Sequence, residues 1–220
     1  MKLAIVGAEP QTRDNAPWDD SDYDIWAISN WAAAGWMKRC TAVVEVHKPE
    51  LYRNHPKDPT YWTWLKNTRI PVYMQTVDDG VPASIEYPLR EVLSMLPIKV
   101  KGLSARPLNS SIAYAIGLAI LQGYEEIDLY GIEMASSSEY RSQQPIFSFW
   151  VGFAAGRDID LNINCTDKLF IQPLYGYEET MNNDKIHSYI SGMKEQQAEL
   201  LKQSNMLEGA LALARQLVEE

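Results

Sequence analysis

The stretch that decides the fold runs from Arg106 to Glu133, RPLNSSIAYAIGLAILQGYEEIDLYGIE. It reads as a polar turn, a buried helix, a glycine stop and a short buried strand. Ile112, Ile116, Ala119 and Ile120 recur at helical spacing, while Asn109, Ser110 and Ser111 supply amide and hydroxyl caps for the first turn. The spacing predicts a helix from near Ser110 to near Gly123. Beyond it, Ile127, Leu129 and Ile132 alternate with Asp128 and Tyr130 around Gly131, the pattern of a strand ending where ligands gather in open α/β sheets. A helix start with N–H groups to spare and two serines is also an anion seat. Ordinary helix capping is the competing reading.

Outward from this unit, KLAIVGAEPQTR opens the chain as a strand from Leu3 to Val6, followed by Gly7 and a polar loop through Pro10. Strand, glycine turn and later helix–strand alternation predict a Rossmann-like three-layer α/β sandwich with a mostly parallel sheet. The G-x-G-x-x-G fingerprint is absent, so close backbone approach to a phosphate is offered at one point, Gly7. Thr12 and Arg13 are candidate anion contacts there, and Glu9 repels an anion unless it turns outward. A plain strand-to-loop turn is the alternative. DIWAISN is a second strand ending at Asn30, and Trp18, Trp26, Trp31 and Trp36 lie near it, either to stack on a base or sugar or to pack the core. TAVVEVH is a third strand, Thr41 to Val46, with His47 at its end as a candidate proton carrier. No carboxylate or second histidine is fixed beside His47 by spacing, so a structural role stands alongside.

Short helices, including Tyr61 to Leu65, are expected over the sheet edge, then a fourth strand in RIPVYMQT. IEYPLREVLSML reads as an amphipathic helix with Leu89, Val92, Leu93 and Leu96 inward. ASSSEYRSQQP reads as a loop closing over a ligand with Tyr140 and Arg141, or as plain surface. IFSFWVGFAAGR is a helix stopped by Gly156, and DIDLNIN a sixth strand. From Asp184 the character changes. Ile186, Ile190, Met193, Gln197, Leu200, Ser204, Leu207, Leu211, Ala214 and Val218 follow an unbroken 4-3 spacing, a seam that wants a second helix. Self-association into a homo-oligomer is the favoured use, with packing back on the same subunit as the alternative. The expected organisation is a nucleotide-binding domain over 1–180 and a helical tail over 181–220.

Composition narrows the partners. With 220 residues, 46% hydrophobic and 22% charged, the chain is globular and long enough for a full core. A formal charge of −9 argues against binding a DNA or RNA backbone, which needs clustered Lys and Arg. Cys40 and Cys165 show neither disulfide nor zinc spacing. No apolar run reaches spanning length and Met1 leads straight into a strand, so a soluble cytoplasmic protein without a membrane partner is expected. Asp19, Asp20, Asp22 and Asp24 are candidates for a Mg²⁺ companion to a nucleotide but read better as a solvated acidic turn. No metal site is assigned.

IVGAEPQTR…DIWAISN and LNSSIAYAIGLAILQGYEEIDLYGIEM together resemble the Rossmann-like group of bacterial CMP-sialic-acid sialyltransferases and MptE-like 6-hydroxymethylpterin diphosphokinases. The chain is more similar still to tailed-phage proteins with a GxAPxxR loop, an SEY loop and a terminal LYGYE, here Leu174 to Glu178. The resemblance covers about residues 2–178, and for a phage protein it implies the host cytoplasm. Carried over by position, it implicates Gly7, Pro10, Gln11, Thr12, Asn30, Asn109, Ser110 and Ser111 in holding a nucleotide or nucleotide sugar. There are departures. Glu9 stands where the sialyltransferase loop has a second glycine, Gln11 where it has serine, and Trp150-Val151-Gly152-Phe153 where it carries a base as YIGH. Phenylalanine takes no proton. The expected function is a transferase using an activated nucleotide, with His47 or Glu133 as acid or base and Arg13 with helix dipoles stabilising the leaving phosphate. The alternative is a non-catalytic oligomer that sequesters a nucleotide, for example a host immune signal.

Overall fold

The computed structural model describes residues 1–96, 107–133, 138–164, 174, 177 and 183–218. The chain divides into two compact units, Met1–Leu169 and Phe170–Glu220. In the first, β1 (Lys2–Val6), β2 (Tyr23–Ile28), β3 (Ala42–Glu45), β4 (Val72–Met74), β5 (Ser84–Glu86), β6 (Glu126–Tyr130) and β7 (Asp160–Asn164) form one sheet. Its order is β5-β4-β3-β2-β1-β6-β7, and every pairing is parallel. The helices of this unit are α1 (Pro10–Arg13), α2 (Pro49–Arg53), α3 (Tyr61–Asn67), α4 (Leu89–Ser94), α5 (Ser111–Leu121) and α6 (Ser138–Ala155). This is the Rossmann-like architecture expected from the sequence. The chain steps outward from β1 to β5 and then returns to the far side of β1, so the strand order reverses between β1 and β6.

Side-chain alternation builds the layers. Leu3, Ile5, Trp26, Ile28, Val44, Ile127 and Leu129 face one way and pack with Val92 of α4, with α5, and with Phe147 and Trp150 of α6. Ala27, Val43, Val72 and Met74 face the other way under Tyr52, Tyr61 and Leu65, while Ala4, Val6 and Ile25 lie under Trp18. Helix α5 is buried almost all round, from Ile112 to Ile120, which makes it the central element of the core. Gly123, at φ +79°, and Gln122 then turn the chain into β6.

Several expectations need correction. Residues 84–86 form a strand, so DIDLNIN supplies the seventh strand and not the sixth; three residues ahead of Pro88 give too short an alternation to read as β. Helix α4 buries Val92, but Leu89 in its first turn is 45% exposed. The expected loop over 135–145 is helical from Ser138, because Glu139, Arg141, Gln143 and Gln144 favour helix and Pro145 forgoes a single i−4 bond. Ser136 and Ser137 lie outside the described residues, as does most of Leu174–Glu178. Among the four tryptophans near β2, Trp18 and Trp26 are core residues with 6% and 2% exposure, not ligand platforms.

The second unit is dominated by α7 (Asn183–Val218), 36 residues long and about 54 Å at 1.5 Å per residue. Ile190, Met193, Leu200, Leu207 and Leu211 of the 4-3 stripe are exposed. No described helix is long and apolar enough to cross a membrane.

Candidate functional site

Because all strands are parallel, their carboxyl ends share one edge of the sheet. That edge collects the Gly7–Arg13 loop after β1, Ser29 and Asn30 after β2, His47 after β3, and Gly131 to Glu133 after β6. Helix α5 precedes β6 and runs antiparallel to it, so Asn109, Ser110 and Ser111 stand at the same edge, with α5 packed over β2 and β3. Edges of this kind are where open α/β sheets bind ligands.

The first loop is closed by the protein itself. The Glu9 carboxylate caps α1, accepting from the N–H groups of Gln11 at 2.9 Å and Thr12 at 3.2 Å, with Pro10 at the start of that turn. Glu9 therefore turns inward and takes the amides that an anion at Pro10, Gln11 and Thr12 would need. Thr12 Oγ1 accepts from Gly131 N–H at 2.8 Å, tying the loop to the end of β6. Arg13 donates to the Ala8 carbonyl at 2.8 Å and to Asp14 at 3.1 Å, and lies 4.3 Å above the Trp36 ring. Its charge is already engaged. Gly7 meets β6 and not open space: a Cβ there would sit 2.3 Å from the Gly131 carbonyl oxygen. Gly131 reciprocates at φ +63°, a conformation that suits glycine, with its own added Cβ 2.7 Å from Gly7 O. Close approach at Gly7 is thus strand-to-strand packing, and the reversal crevice between β1 and β6 is filled there.

Two strands over, the edge holds a hydrogen-bonded acid–imidazole pair that the sequence reading missed. His47 Nδ1 lies 2.6 Å from Glu45 Oε1, which also accepts from the His47 N–H at 3.1 Å. Glu45 Oε2 accepts from Ser29 Oγ at 2.6 Å and from Tyr61 OH at 2.8 Å. Four donors thus serve the roughly four lone-pair sites of the carboxylate. Glu45 is fully buried, whereas the His47 side chain is 42% exposed. Burial pushes the Glu45 carboxyl up, but the hydrogen bonds and charge of His47 and the bond from Ser29 outweigh it and hold the group below the usual carboxylate range. Burial, with the Glu45 charge beside it, pushes the Tyr61 phenol well up, so it stays a donor. Ser29 adopts φ +52°, a left-handed conformation costing a non-glycine residue about 1–3 kcal/mol. Its bond to Glu45 offsets that strain. The readable signal was proximity: Glu45 ends β3 and His47 follows two residues on, within reach of its carboxylate.

At the start of α5, Ser110 is extended at φ −154°, ψ 152°, and its side chain makes no capping bond. Its Oγ is buried without a hydrogen-bond partner among the described residues. Asn109 donates instead to the Ser142 carbonyl of α6 at 3.3 Å, so the expected side-chain cap is not formed. Asn30 follows Ser29 in a 3-10 turn, Ser29–Ala33, and is half-buried. Glu133, also half-buried, lies two residues past Gly131. Arg141 is exposed on α6, and Tyr140 falls in the same helix with its side chain outside the description. Phe153 stacks on Phe149 and meets Trp150 edge-on in the aromatic layer of α6. The four aspartates before and at the start of β2 serve local structure in part: Asp20 accepts from the Asp22 N–H and Asp24 from Tyr124 OH.

No family model and no curated protein sequence matches this chain. Among solved structures, the sialyltransferase CST-II with a trisaccharide acceptor and CMP is 15% identical, with a TM-score of 0.48 over 76% of this chain and 82% of that one. CstII from Campylobacter jejuni with cytidine-5'-monophosphate is 16% identical, with a TM-score of 0.47 over 76% and 80%. The alpha-2,3-sialyltransferase from Campylobacter jejuni in apo form is 15% identical, with a TM-score of 0.48 over 90% and 95%. At such identities and scores these likenesses assign no role to any residue here.

Proposed function

We propose that the carboxyl edge between β2, β3 and the start of α5 holds an activated nucleotide, such as a nucleotide sugar, and that the chain is a transferase acting on it. One observation carries the reading. Helix α5 opens at that edge without a side-chain cap, and beside it the Ser110 Oγ is buried with no partner among the described residues, which leaves a donor for a phosphate oxygen. The phosphate rests on Ser110, Ser111 and the first α5 amides, and Asn30 hydrogen-bonds the base or sugar. His47 serves as acid or base, with Glu133 as the second candidate. The Gly7–Arg13 loop supports this seat from behind by fixing the ends of β1 and β6, and its own amides are not the anion site. Self-association belongs to α7, whose exposed apolar stripe needs a partner helix.

The test is calorimetric titration of the full chain with CMP and a panel of nucleotides and nucleotide sugars, each followed by analysis of the recovered ligand. Saturable binding weakened in Ser110→Ala, together with release of nucleoside phosphate by the wild type, supports the reading. Binding with every ligand recovered unchanged replaces the transferase with a sequestering protein. Absence of binding across the panel removes the nucleotide.

A further inference from the structure

We infer that α7 pairs with α7 of a second copy of this chain as a parallel, in-register, two-stranded coiled coil, and that Gln197 is the residue that specifies the register. This rests on the self-association proposed above and gives it a geometry; it does not depend on the nucleotide site. The 4-3 spacing runs along all 36 residues of α7, about five heptads. In heptad letters Ile190, Gln197, Ser204 and Leu211 are a positions, and Met193, Leu200, Leu207 and Ala214 are d positions. Ile190, Met193, Leu200, Leu207 and Leu211 are each 42% to 66% exposed, so five large apolar side chains on one stripe stand open to water.

A second copy fits this face in charge. Between Asn183 and Val218 the sequence has four acidic and four basic residues. The helix is neutral, so the formal charge of −9 lies elsewhere in the chain, and the helix is where two copies approach without repulsion. A strongly acidic or basic partner gains nothing from it. The flanks agree with a like partner. In a parallel pair each g residue faces the e residue five places on, which sets Gln196 by the partner's Leu201, Gln203 by the partner's Glu208 and Ala210 by the partner's Arg215. No like charges meet in these pairs.

The polar seam residues decide orientation. Parallel and in register, Gln197 faces the partner's Gln197, and each amide can both donate and accept; Ser204 faces the partner's Ser204. A fully overlapping antiparallel pair sets a against d, placing Gln197 against the partner's Leu207 and Ser204 against the partner's Leu200. Its electrostatic gain is Lys194 beside the partner's Glu208. An exposed ion pair contributes less than an amide buried among leucines without a partner costs, so the parallel pair wins. A slip of one heptad sets Gln197 against the partner's Ile190 and is disfavoured for the same reason. Strand number follows from the shape of the seam: Ile190 and Val218, both β-branched, stand at a while Leu200 and Leu207 stand at d, the combination that favours two strands.

The experiment uses the full chain carrying Cys40→Ala and Cys165→Ala, with a nitroxide placed in turn at Ser188→Cys, Glu195→Cys and Lys202→Cys. These are exposed positions one heptad apart and off the seam. Sedimentation should give a dimer, and distances between labels by pulsed electron paramagnetic resonance should agree at the three sites, because a parallel pair keeps each site level with its copy. In an antiparallel pair the axial offset between labels changes by about 21 Å from one site to the next, 14 residues at 1.5 Å each, so distances that disagree overturn the inference. A monomer removes self-association itself, and three or more copies overturn the two-stranded coil. Gln197→Leu should lower the dimer dissociation constant by about 10-fold and either broaden the distances or raise the number of copies, since the register amide is gone. A Gln197→Leu dimer with the same three narrow distances removes Gln197 as the register residue.

Discussion

Gly7→Ala should destabilise the sheet by a predictable amount, and it distinguishes a packing glycine from a ligand glycine. The new Cβ would lie 2.3 Å from Gly131 O, 2.7 Å from Ile132 Cδ1 and 2.9 Å from Gly131 C. Two of those three atoms belong to the backbone of the β6 end, which is held by Gly7 N–H to Tyr130 O at 2.7 Å and Glu9 N–H to Gly131 O at 3.0 Å. Relief therefore requires strand ends to separate, not a side chain to swing away. Overpacking in a tight site costs about 1–3 kcal/mol, and a backbone contact belongs at the upper end. For a domain of this size about 3 kcal/mol lowers Tm by about 6–12 °C. Tryptophan fluorescence is the right probe, since all seven tryptophans lie between Trp18 and Trp150, in the first unit. Gly35→Ala is the control: nothing lies within 4 Å of its added Cβ, so Tm should hold or rise slightly. If Gly7→Ala melts with the wild type, the β1–β6 contact is wrong and Gly7 returns as a candidate ligand residue.

Thr12→Val removes the acceptor for Gly131 N–H and should cost about 1–3 kcal/mol, with faster hydrogen exchange at Gly131; unchanged exchange contradicts the tie between loop and β6. Tyr61→Phe deletes a bond to a buried carboxylate and should cost about 1.5–3 kcal/mol at neutral pH. Because the folded Glu45 pKa lies below its unfolded value, its stabilisation is present above the ordinary carboxylate range and lost as pH falls through the folded value. Tyr61→Phe should move that acid loss to higher pH, and an unshifted acid unfolding curve would show that Glu45 does not control it. Ser110→Ala should leave Tm within the range of a neutral substitution, about ±0.5 kcal/mol, yet weaken a bound nucleotide about 10- to 100-fold. A large Tm loss with affinity intact would make Ser110 a structural cap. L200E, L207E and L211E combined in the full chain should turn an oligomer into a monomer by sedimentation while the fluorescence melt stays put; a monomeric wild type removes self-association.

The sheet was legible because its signals are local and redundant. Apolar-rich runs at Leu3–Val6, Ile25–Ile28, Val43–Val46 and Ile127–Leu129, separated by turns and one largely apolar helix, leave few alternatives to parallel β–α alternation. Ser84–Glu86 was not legible, since three residues carry no period. The polar edge was legible only as a set of strand ends. Which end stays open for a ligand depends on which donors are already used, and that is a tertiary fact. Glu9 is an uncommon helix cap, so nothing in GAEPQTR announced that it would fold inward onto Gln11 and Thr12. Glu45, in VVEVH, is a charged residue inside an otherwise apolar strand. Its meaning appeared once Ser29 and Tyr61 arrived from 16 residues on either side. Phe153, which the resemblance sets against a histidine, stacks on Phe149 and meets Trp150 edge-on in an aromatic cluster.

Every ligand-binding and catalytic role proposed above depends on a nucleotide site at the carboxyl edge between β2, β3 and α5. Backbone amide chemical-shift mapping of the full chain against CMP, and against any tighter ligand from the panel, addresses this directly. Saturable shifts should concentrate at Asn30, His47 and Ser110 to Ala113, with Gln11 and Thr12 little changed because Glu9 already holds their amides. Shifts centred on Gln11 and Thr12, or none at the start of α5, contradict it.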